Sequence, residues 1–257
     1  MKINYFDLRV VAERYAGGRP DFHSNTIARI KKFLKLEKNL DTVLDVACGT
    51  GLSTKALSAI SNNVFGTDIS PEMLKYAEQT DKINYLIAKA EQQPFADNEF
   101  DLITVSSGVH WFEIDLFLQE ANRILNNKAW LVIYDNYFIS EMPEVEKFKD
   151  WFPKVYLPKY PSPPRNNRYE WTNQNLNRKN FNLTISDEFK NSISFTKKQL
   201  IYYFTTQSNI TTVMENGETN YEEIENWLTK ELSKIFPTDE TTQIINFGNQ
   251  IKFVQKI

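Results

Sequence analysis

Cysteine is nearly absent. Cys48 is the only one in 257 residues, which excludes an internal disulfide and any cysteine cluster able to hold zinc. Histidine is almost as scarce, with His23 and His110 alone, so a multi-histidine centre lacks ligands and no metal is expected. Long apolar runs are missing as well. The stretch at 130–134 is typical of the longest, far short of the roughly 20 residues that cross a bilayer, and no membrane span is expected. No basic start followed by an apolar run reads as a secretory signal; with the lone cysteine, this gives a cytoplasmic expectation. Excess charge of either sign is also lacking. The 30 Lys plus Arg against 33 Asp plus Glu leave a net charge of -3, which offers no positive field for a phosphate backbone, so nucleic acid is not an expected partner.

What is present is an ordinary globular composition, with 41% hydrophobic and 25% charged residues, enough to bury a core and stay soluble. At about 150 residues per domain, the length suits one large domain or one domain with an appendage. The first half alternates apolar β-rich runs with helical patterns: strands at 42–47, 63–67, 83–88, 100–106 and 129–134, helices at 52–61, 71–79 and 115–125. That order predicts a parallel α/β sheet. The nearly continuous apolar runs at 102–105 and 130–133 predict strands covered by helices on both faces. Ahead of them, Ser24 is placed to cap a helix reaching about Leu36.

After Tyr134 the alternation stops. Five of the ten prolines fall between Pro153 and Pro164, which argues against a continuous helix or a central strand and marks an inserted segment. Residues 151–181 carry six Lys or Arg against one acid, Glu170, while 212–240 hold eight acids against two lysines. Solvated surface is the plain reading of both stretches; a basic lid over an anionic substrate is the sharper one. Thr196 and Gln199 form a capping-box pattern opening a helix through Tyr203, residues 221–236 have helical spacing, and 189–195 and 250–255 alternate as two further strands.

The strongest signal is the apolar strand that runs through Asp45 into Ala47-Cys-Gly-Thr-Gly51 and then a helix. Gly49 and Gly51 use two of only eight glycines, and without a Cβ they permit close backbone approach where a helix N-terminus meets polar ligand groups. A plain strand-to-helix connection also favours glycine. Asp68 ends the next strand, so in a parallel sheet its carboxylate lies beside the glycine turn, at the carboxyl ends of the strands where ligands bind. Ser70 followed by Pro71 already supplies the helix start there, which leaves Asp68 for the two hydroxyls of a ribose.

To this point an NAD-dependent dehydrogenase and an S-adenosylmethionine methyltransferase are both compatible. Asp45 tips the balance. The turn reads Asp-x-x-x-Gly-Thr-Gly and not the Gly-x-Gly-x-x-Gly that receives a pyrophosphate. An acid at the turn repels a pyrophosphate and suits a ligand with a cationic sulfonium and amino group.

Four motifs carry a resemblance: residues 43–51, Gly-Thr-Asp-Ile-Ser-Pro-Glu-Met-Leu at 66–74, Ala-Glu-Gln-Gln-Pro-Phe at 90–95, and the segment from Phe100 through Ser106 and Ser107 to His110, Trp111 and Phe112. In sequence order they resemble the motifs of class I S-adenosylmethionine-dependent methyltransferases over residues 10–135. Residues 15–22 and 110–112 resemble the small-molecule subgroup of trans-aconitate methyltransferase-like, type 11 proteins. The resemblance implies a Rossmann-like, seven-stranded, mostly parallel α/β sheet with helices on both faces and an inserted cap segment after the fifth strand. It further implies one methyltransferase domain over 1–257, made of an N-terminal lid and helix (1–38), a cofactor-binding core (39–136), a Pro-rich insert (137–180) and C-terminal strands and helices (181–257).

Carried over by position, the resemblance implies that Ala47, Gly49 and Gly51 lie along the methionine part of S-adenosylmethionine with Asp45 nearby, and that Asp68 takes the ribose. Ile69 and Met73 pack on the adenosine, Ala90 and Glu91 meet the adenine amino edge, and Ser106 faces the methionine end. Ala47 stands where glycine is commoner, at a cost of about 1 kcal/mol if positive φ is required. His110 sits where the transferred methyl would point and is the candidate proton acceptor; a packed or capping histidine is the competing reading. Tyr15 and Arg19 are expected on a lid, with Arg19 pairing a carboxylate of cofactor or substrate. Trp111, Arg165 and Arg168 are candidate substrate contacts. The expected activity is methyl transfer to a small-molecule carboxylate or hydroxyl oxygen, leaving S-adenosylhomocysteine. A noncatalytic cofactor-binding module, a dehydrogenase and a nucleic-acid methyltransferase are the alternatives.

Overall fold

The structure is a computed structural model that describes residues 9–163 and 169–257, with side chains described from Ala12 onward. Its sheet has seven strands: β1 (Leu40–Val46), β2 (Ser61–Asp68), β3 (Ile83–Ile87), β4 (Phe100–Ser106), β5 (Leu125–Glu141), β6 (Phe181–Thr196) and β7 (Thr242–Lys256). The order is β3-β2-β1-β4-β5-β7-β6. β1 pairs in parallel with both β2 and β4, β2 with β3, and β4 with β5. The sheet as a whole is mixed. Because the chain winds outward from β1 to β3 and then crosses to β4, strand order reverses between β1 and β4. That reversal opens a crevice at the carboxyl ends of these strands.

The contacts divide the described residues between two compact units. One holds 23–136, 169–189 and 249–257; the other holds 9–22, 137–163 and 190–248. In the first unit the period-2 alternation of strands separates two cores. Leu44, Val46, Ile103, Val105, Leu131 and Ile133 pack with Phe117, Leu118 and Ala121 of the helix Ile114–Ile124. Val43, Leu102, Val132 and Tyr134 point the other way, toward Ile27 and Ile30 of the helix His23–Phe33 and Leu57 of the helix Leu52–Leu57. A central strand buried on both faces must be apolar on both, which is why β1 and β4 read as continuous apolar runs.

The second unit has an aromatic core. Phe204 is fully buried, with ring centroids of Tyr156 at 4.7 Å, Phe138 at 5.1 Å and Trp151 at 5.3 Å. Its helices include Lys197–Thr205, Ser208–Glu215 and Tyr221–Leu232. Several features differ from the sequence reading: the helix expected at 71–79 is only Pro71–Leu74, and the strands expected at 189–195 and 250–255 run over Phe181–Thr196 and Thr242–Lys256. The proline-containing stretch is helical from Phe148 to Lys159, in three abutting segments whose middle one, Phe152–Tyr156, is a π-helical turn. Pro153 and Pro158 each fall in the first two positions of a segment, so the run is broken at both prolines and is not one regular helix. β5 continues to Glu141, past the expected end at Tyr134. Residues Arg9–Gly18 form a helix of their own.

Candidate functional site

The turn after β1 is held in an unusual backbone shape. Ala47, Gly49 and Gly51 have φ of 56°, 57° and 78°, the left-handed region in which a Cβ is strained. Gly51 has no alternative: a Cβ there would lie 2.3 Å from the Tyr85 hydroxyl. The Cys48 amide donates to the Thr67 carbonyl at 3.0 Å, tying the turn to the end of β2. Cys48 itself is buried, and burial pushes its thiol well up, so it is an inert packing group.

Asp45 lies under this turn with no exposed surface. Its Oδ2 accepts from Ser53 Oγ at 2.5 Å and Thr54 Oγ1 at 2.8 Å, and its Oδ1 from Thr104 Oγ1 at 2.9 Å. Thr104 is its register partner on β4. The carboxylate therefore joins β1, β4 and the following helix. Desolvation raises its pKa to about 6 against the lowering pull of the three hydroxyls.

Asp68, at the end of β2, sits beside the turn as the parallel topology requires. Its Oδ2 accepts from the Gly49 amide at 2.8 Å and its Oδ1 from the Ser70 amide at 2.8 Å. A carboxylate has about four acceptor sites, so each oxygen keeps capacity for a ligand. Burial pushes this carboxyl up, opposed by the backbone donors. Ser70 caps the short helix Pro71–Leu74 as expected, accepting from the Met73 amide. Ile69 is 53% exposed next to Asp68, and Ile87 at the end of β3 is 62% exposed. Met73 is buried with its Cε 3.2 Å from where a Gly49 Cβ would stand. Ala90 is buried, and Glu91 accepts from the Glu113 amide at 2.8 Å.

The loop after β4 presses against the same turn: a Cβ on Gly108 would lie 2.9 Å from the Ala47 Cβ. Ser106 ends β4, and Ser107, with φ of 53°, donates through Oγ to Asp135 Oδ1 at 2.6 Å. His110 and Trp111 lie on the 3-10 turn Val109–Trp111 with ring centroids 4.8 Å apart. Beside them opens a cavity of about 310 Å³, whose lining includes Ser107, His110, Asp135, Tyr169, Trp171 and Lys252.

The structure thus brings together Asp45, Ala47, Gly49, Gly51, Asp68, Ile69, Met73, Ala90, Glu91, Ser106, His110 and Trp111 in one unit. Tyr15 and Arg19 belong to the other unit, where the Arg19 guanidinium stacks on the rings of Tyr15 and Tyr203 and donates to the Thr206 carbonyl at 3.2 Å. Arg165 and Arg168 lie outside the described residues. Sequence reasoning missed Ile87, Asp135, Tyr169, Trp171 and Lys252. Asp135 carried a usable signal, an acid directly after an apolar strand, as at Asp68.

The residues fit an adenosyl ligand with an amino-acid tail. A Cβ-free cradle, a carboxylate with spare acceptor sites and an exposed aliphatic pair surround one crevice; in the same turn and strand, Thr50 Oγ1 and Thr67 Oγ1 are buried without a hydrogen-bond partner among the described residues. Among the described residues no group of three or more His, Cys, Asp or Glu could hold a metal, and no helix is long and apolar enough to cross a membrane.

Comparison with known proteins points to methyltransferases. Residues 44–133 match the family described as a methyltransferase domain. A demethylmenaquinone methyltransferase of Staphylococcus carnosus is 31% identical over 177 residues, covering 63% of this chain and 69% of that protein. A protein of Dictyostelium discoideum named as a methyltransferase is 27% identical over 124 residues, covering 48% of this chain and 46% of that one. The chain spans roughly half the length of most of these relatives. Among solved structures, one named as a type II methyltransferase from Anaeromyxobacter dehalogenans superposes with a TM-score of 0.72 at 17% identity, over 91% of this chain and 97% of that one.

Proposed function

Since the chain belongs to the class I S-adenosylmethionine-dependent methyltransferases, we propose that it transfers the methyl group of S-adenosylmethionine to an oxygen of a small-molecule acceptor. One observation carries the cofactor assignment. Asp68 grips the Gly49 amide at 2.8 Å, so a diol-binding carboxylate and a Cβ-free cradle are fixed to each other before any ligand arrives. Asp68 takes the ribose hydroxyls; Gly49 and Gly51 let the backbone approach the methionine part; Ile69 and Met73 pack on the adenosine; Glu91 and Ala90 meet the adenine edge. Asp45 acts from beneath, holding the turn through Ser53, Thr54 and Thr104. Arg19 and Tyr15 are proposed carboxylate contacts, Arg165 and Arg168 substrate contacts, and Trp111 a wall.

When bound, S-adenosylmethionine supplies an electrophilic methyl whose carbon–sulfur bond breaks as the bond to the acceptor oxygen forms, the electron pair staying on sulfur. The chain's contribution is to hold the acceptor in line and exclude water. A hydroxyl acceptor releases one proton, for which the proposed acceptor is the imidazole of His110, a residue of the cavity wall; a carboxylate acceptor releases none. The net charge of -3 favours a small molecule over nucleic acid as acceptor. A cytoplasmic setting fits a chain whose one cysteine is buried and unpaired.

Titration calorimetry with S-adenosylmethionine, S-adenosylhomocysteine and NAD tests the cofactor, and label transfer to a panel of small acids, phenols and alcohols tests the chemistry. Saturable binding of the first two and not of NAD, with labelled product, is the expected result. Binding of NAD alone would return the site to a dehydrogenase. Tight cofactor binding with no transfer to any acceptor would favour a noncatalytic module.

A further inference from the structure

Strand β7 carries a lysine where its neighbours are apolar. Ile251 and Phe253 point into the core shared with Val132 and Tyr134, so Lys252, one residue out of phase, faces the opposite side of the sheet with Val254. That side is the one covered by the helix Ile114–Ile124, and there Lys252 lines the 310 Å³ cavity together with His110 and Asp135.

The two charges in this wall are used differently. Asp135 accepts from Ser107 Oγ at 2.6 Å. The Lys252 ammonium, half-buried, donates to Gln250 Oε1 and makes no ion pair among the described residues. An ammonium has three N–H donors, so the cation keeps hydrogen-bonding capacity that a neutral amide oxygen does not fill. Burial pushes the Lys252 ammonium below its usual range, while Asp135 and Glu188 pull it back up.

We propose that this cavity recognises the carboxylate of a flat, largely apolar small acid, with Lys252 as the anion contact. The inference rests on reading the cavity as the acceptor site and adds the substrate class. The charge count sets the anion. One lysine is a point charge suited to a monoanion, and Asp135 in the same wall opposes a second negative charge, which disfavours a phosphate dianion. The walls set the body. Tyr169 and Trp171 stand edge to face at 5.0 Å, and Val109, Ile114 and Ile133 supply aliphatic surface. The volume admits one or two fused rings with a short acidic arm.

The test uses the full chain saturated with S-adenosylhomocysteine and matched pairs in which only the charge differs: 4-hydroxybenzoate against 4-hydroxybenzamide, and indole-3-acetate against indole-3-acetamide. Each acid should bind at least 10-fold tighter than its amide by saturation-transfer NMR and calorimetry. Lys252→Met should reduce that ratio below twofold with the S-adenosylhomocysteine affinity and melting temperature unchanged, and Lys252→Arg should restore it. Equal binding of acid and amide, no binding of either acid, or a ratio that survives Lys252→Met overturns the proposal. Failure of S-adenosylhomocysteine to bind the wild-type chain, read in the first titration, overturns the cofactor reading and this inference with it.

Discussion

Asp68 and Gly49 are joined by a 2.8 Å hydrogen bond from the glycine amide to the acid's Oδ2, so the acid that closes β2 also shapes the turn that closes β1. The same carboxylate holds the Ser70 amide at 2.8 Å and the start of the next helix. One side chain therefore sets the geometry of two loops that border the crevice.

That double role predicts the behaviour of Asp68→Ala. Hydrogen bonds to a charged acceptor contribute about 1.5–3 kcal/mol each, so the substitution should lower the melting temperature as well as weaken S-adenosylhomocysteine binding by at least 10-fold. Asp68→Asn, which keeps one carbonyl acceptor, should fall between. Calorimetry at a temperature where both variants are folded separates the two effects. Undiminished binding by Asp68→Ala would remove the ribose assignment.

Asp45 predicts a pH signature. Burial raises its carboxyl to about 6 from 3.8, so between those values the folded chain binds a proton that the unfolded chain has released. Stability then falls as pH rises through this window and levels off above it. The charged form costs on the order of 3 kcal/mol relative to an unshifted carboxyl. Asp68 is shifted in the same direction, so the informative quantity is the difference between wild type and Asp45→Asn. Measured by denaturant melts from pH 4.5 to 7.5, that difference should move against the wild type as pH rises. A flat difference would mean that the hydroxyls of Ser53, Thr54 and Thr104 offset the burial completely.

Ala47 and Gly108 form a tight steric pair, with 2.9 Å between the Ala47 Cβ and a Cβ built on Gly108. Gly108→Ala should therefore destabilise by about 1–3 kcal/mol through overpacking. Ala47→Gly relieves the contact and suits the positive φ of 56°, so the double variant Ala47→Gly/Gly108→Ala should recover most of the loss. Urea melts of the four proteins give the coupling directly, and additive effects would show that the β4 loop does not bear on the turn.

The parts of the fold that were legible before the structure are those with local physical causes. β4 was placed at its observed ends because a strand buried on both faces must be apolar throughout. The Thr196–Gln199 capping box forms with both reciprocal bonds, at 3.2 and 2.8 Å, because it needs only four consecutive residues. The β1 turn and Asp68 were legible because parallel topology alone brings their ends together. The helical turns around Pro153 were not, since proline argues against one regular helix but leaves room for short abutting segments. The cavity was not legible either. Its charged lining, Asp135 and Lys252, comes from segments more than a hundred residues apart, and only tertiary pairing places them in one wall. Lys252 stands within the alternating pattern at 250–255, and which side of the sheet it faces is set by strand order.

His110 gives the sharpest chemical test, because its two readings separate by acceptor. It sits on the 3-10 turn after β4, in the wall of the cavity and against the Trp111 ring. If the imidazole takes the proton of a hydroxyl acceptor, His110→Ala should lower kcat for phenols and alcohols by about 10²- to 10⁴-fold. A carboxylate acceptor already lacks that proton, so its kcat should change by less than a few-fold. The cofactor affinity should be unchanged in both cases. Equal losses on both acceptor types would instead make His110 a wall residue whose removal misplaces whatever is bound, since a misplaced nucleophile slows in-line attack whether or not a proton must leave. Paired rate measurements on one hydroxyl and one carboxylate acceptor, at the same cofactor saturation, decide between them.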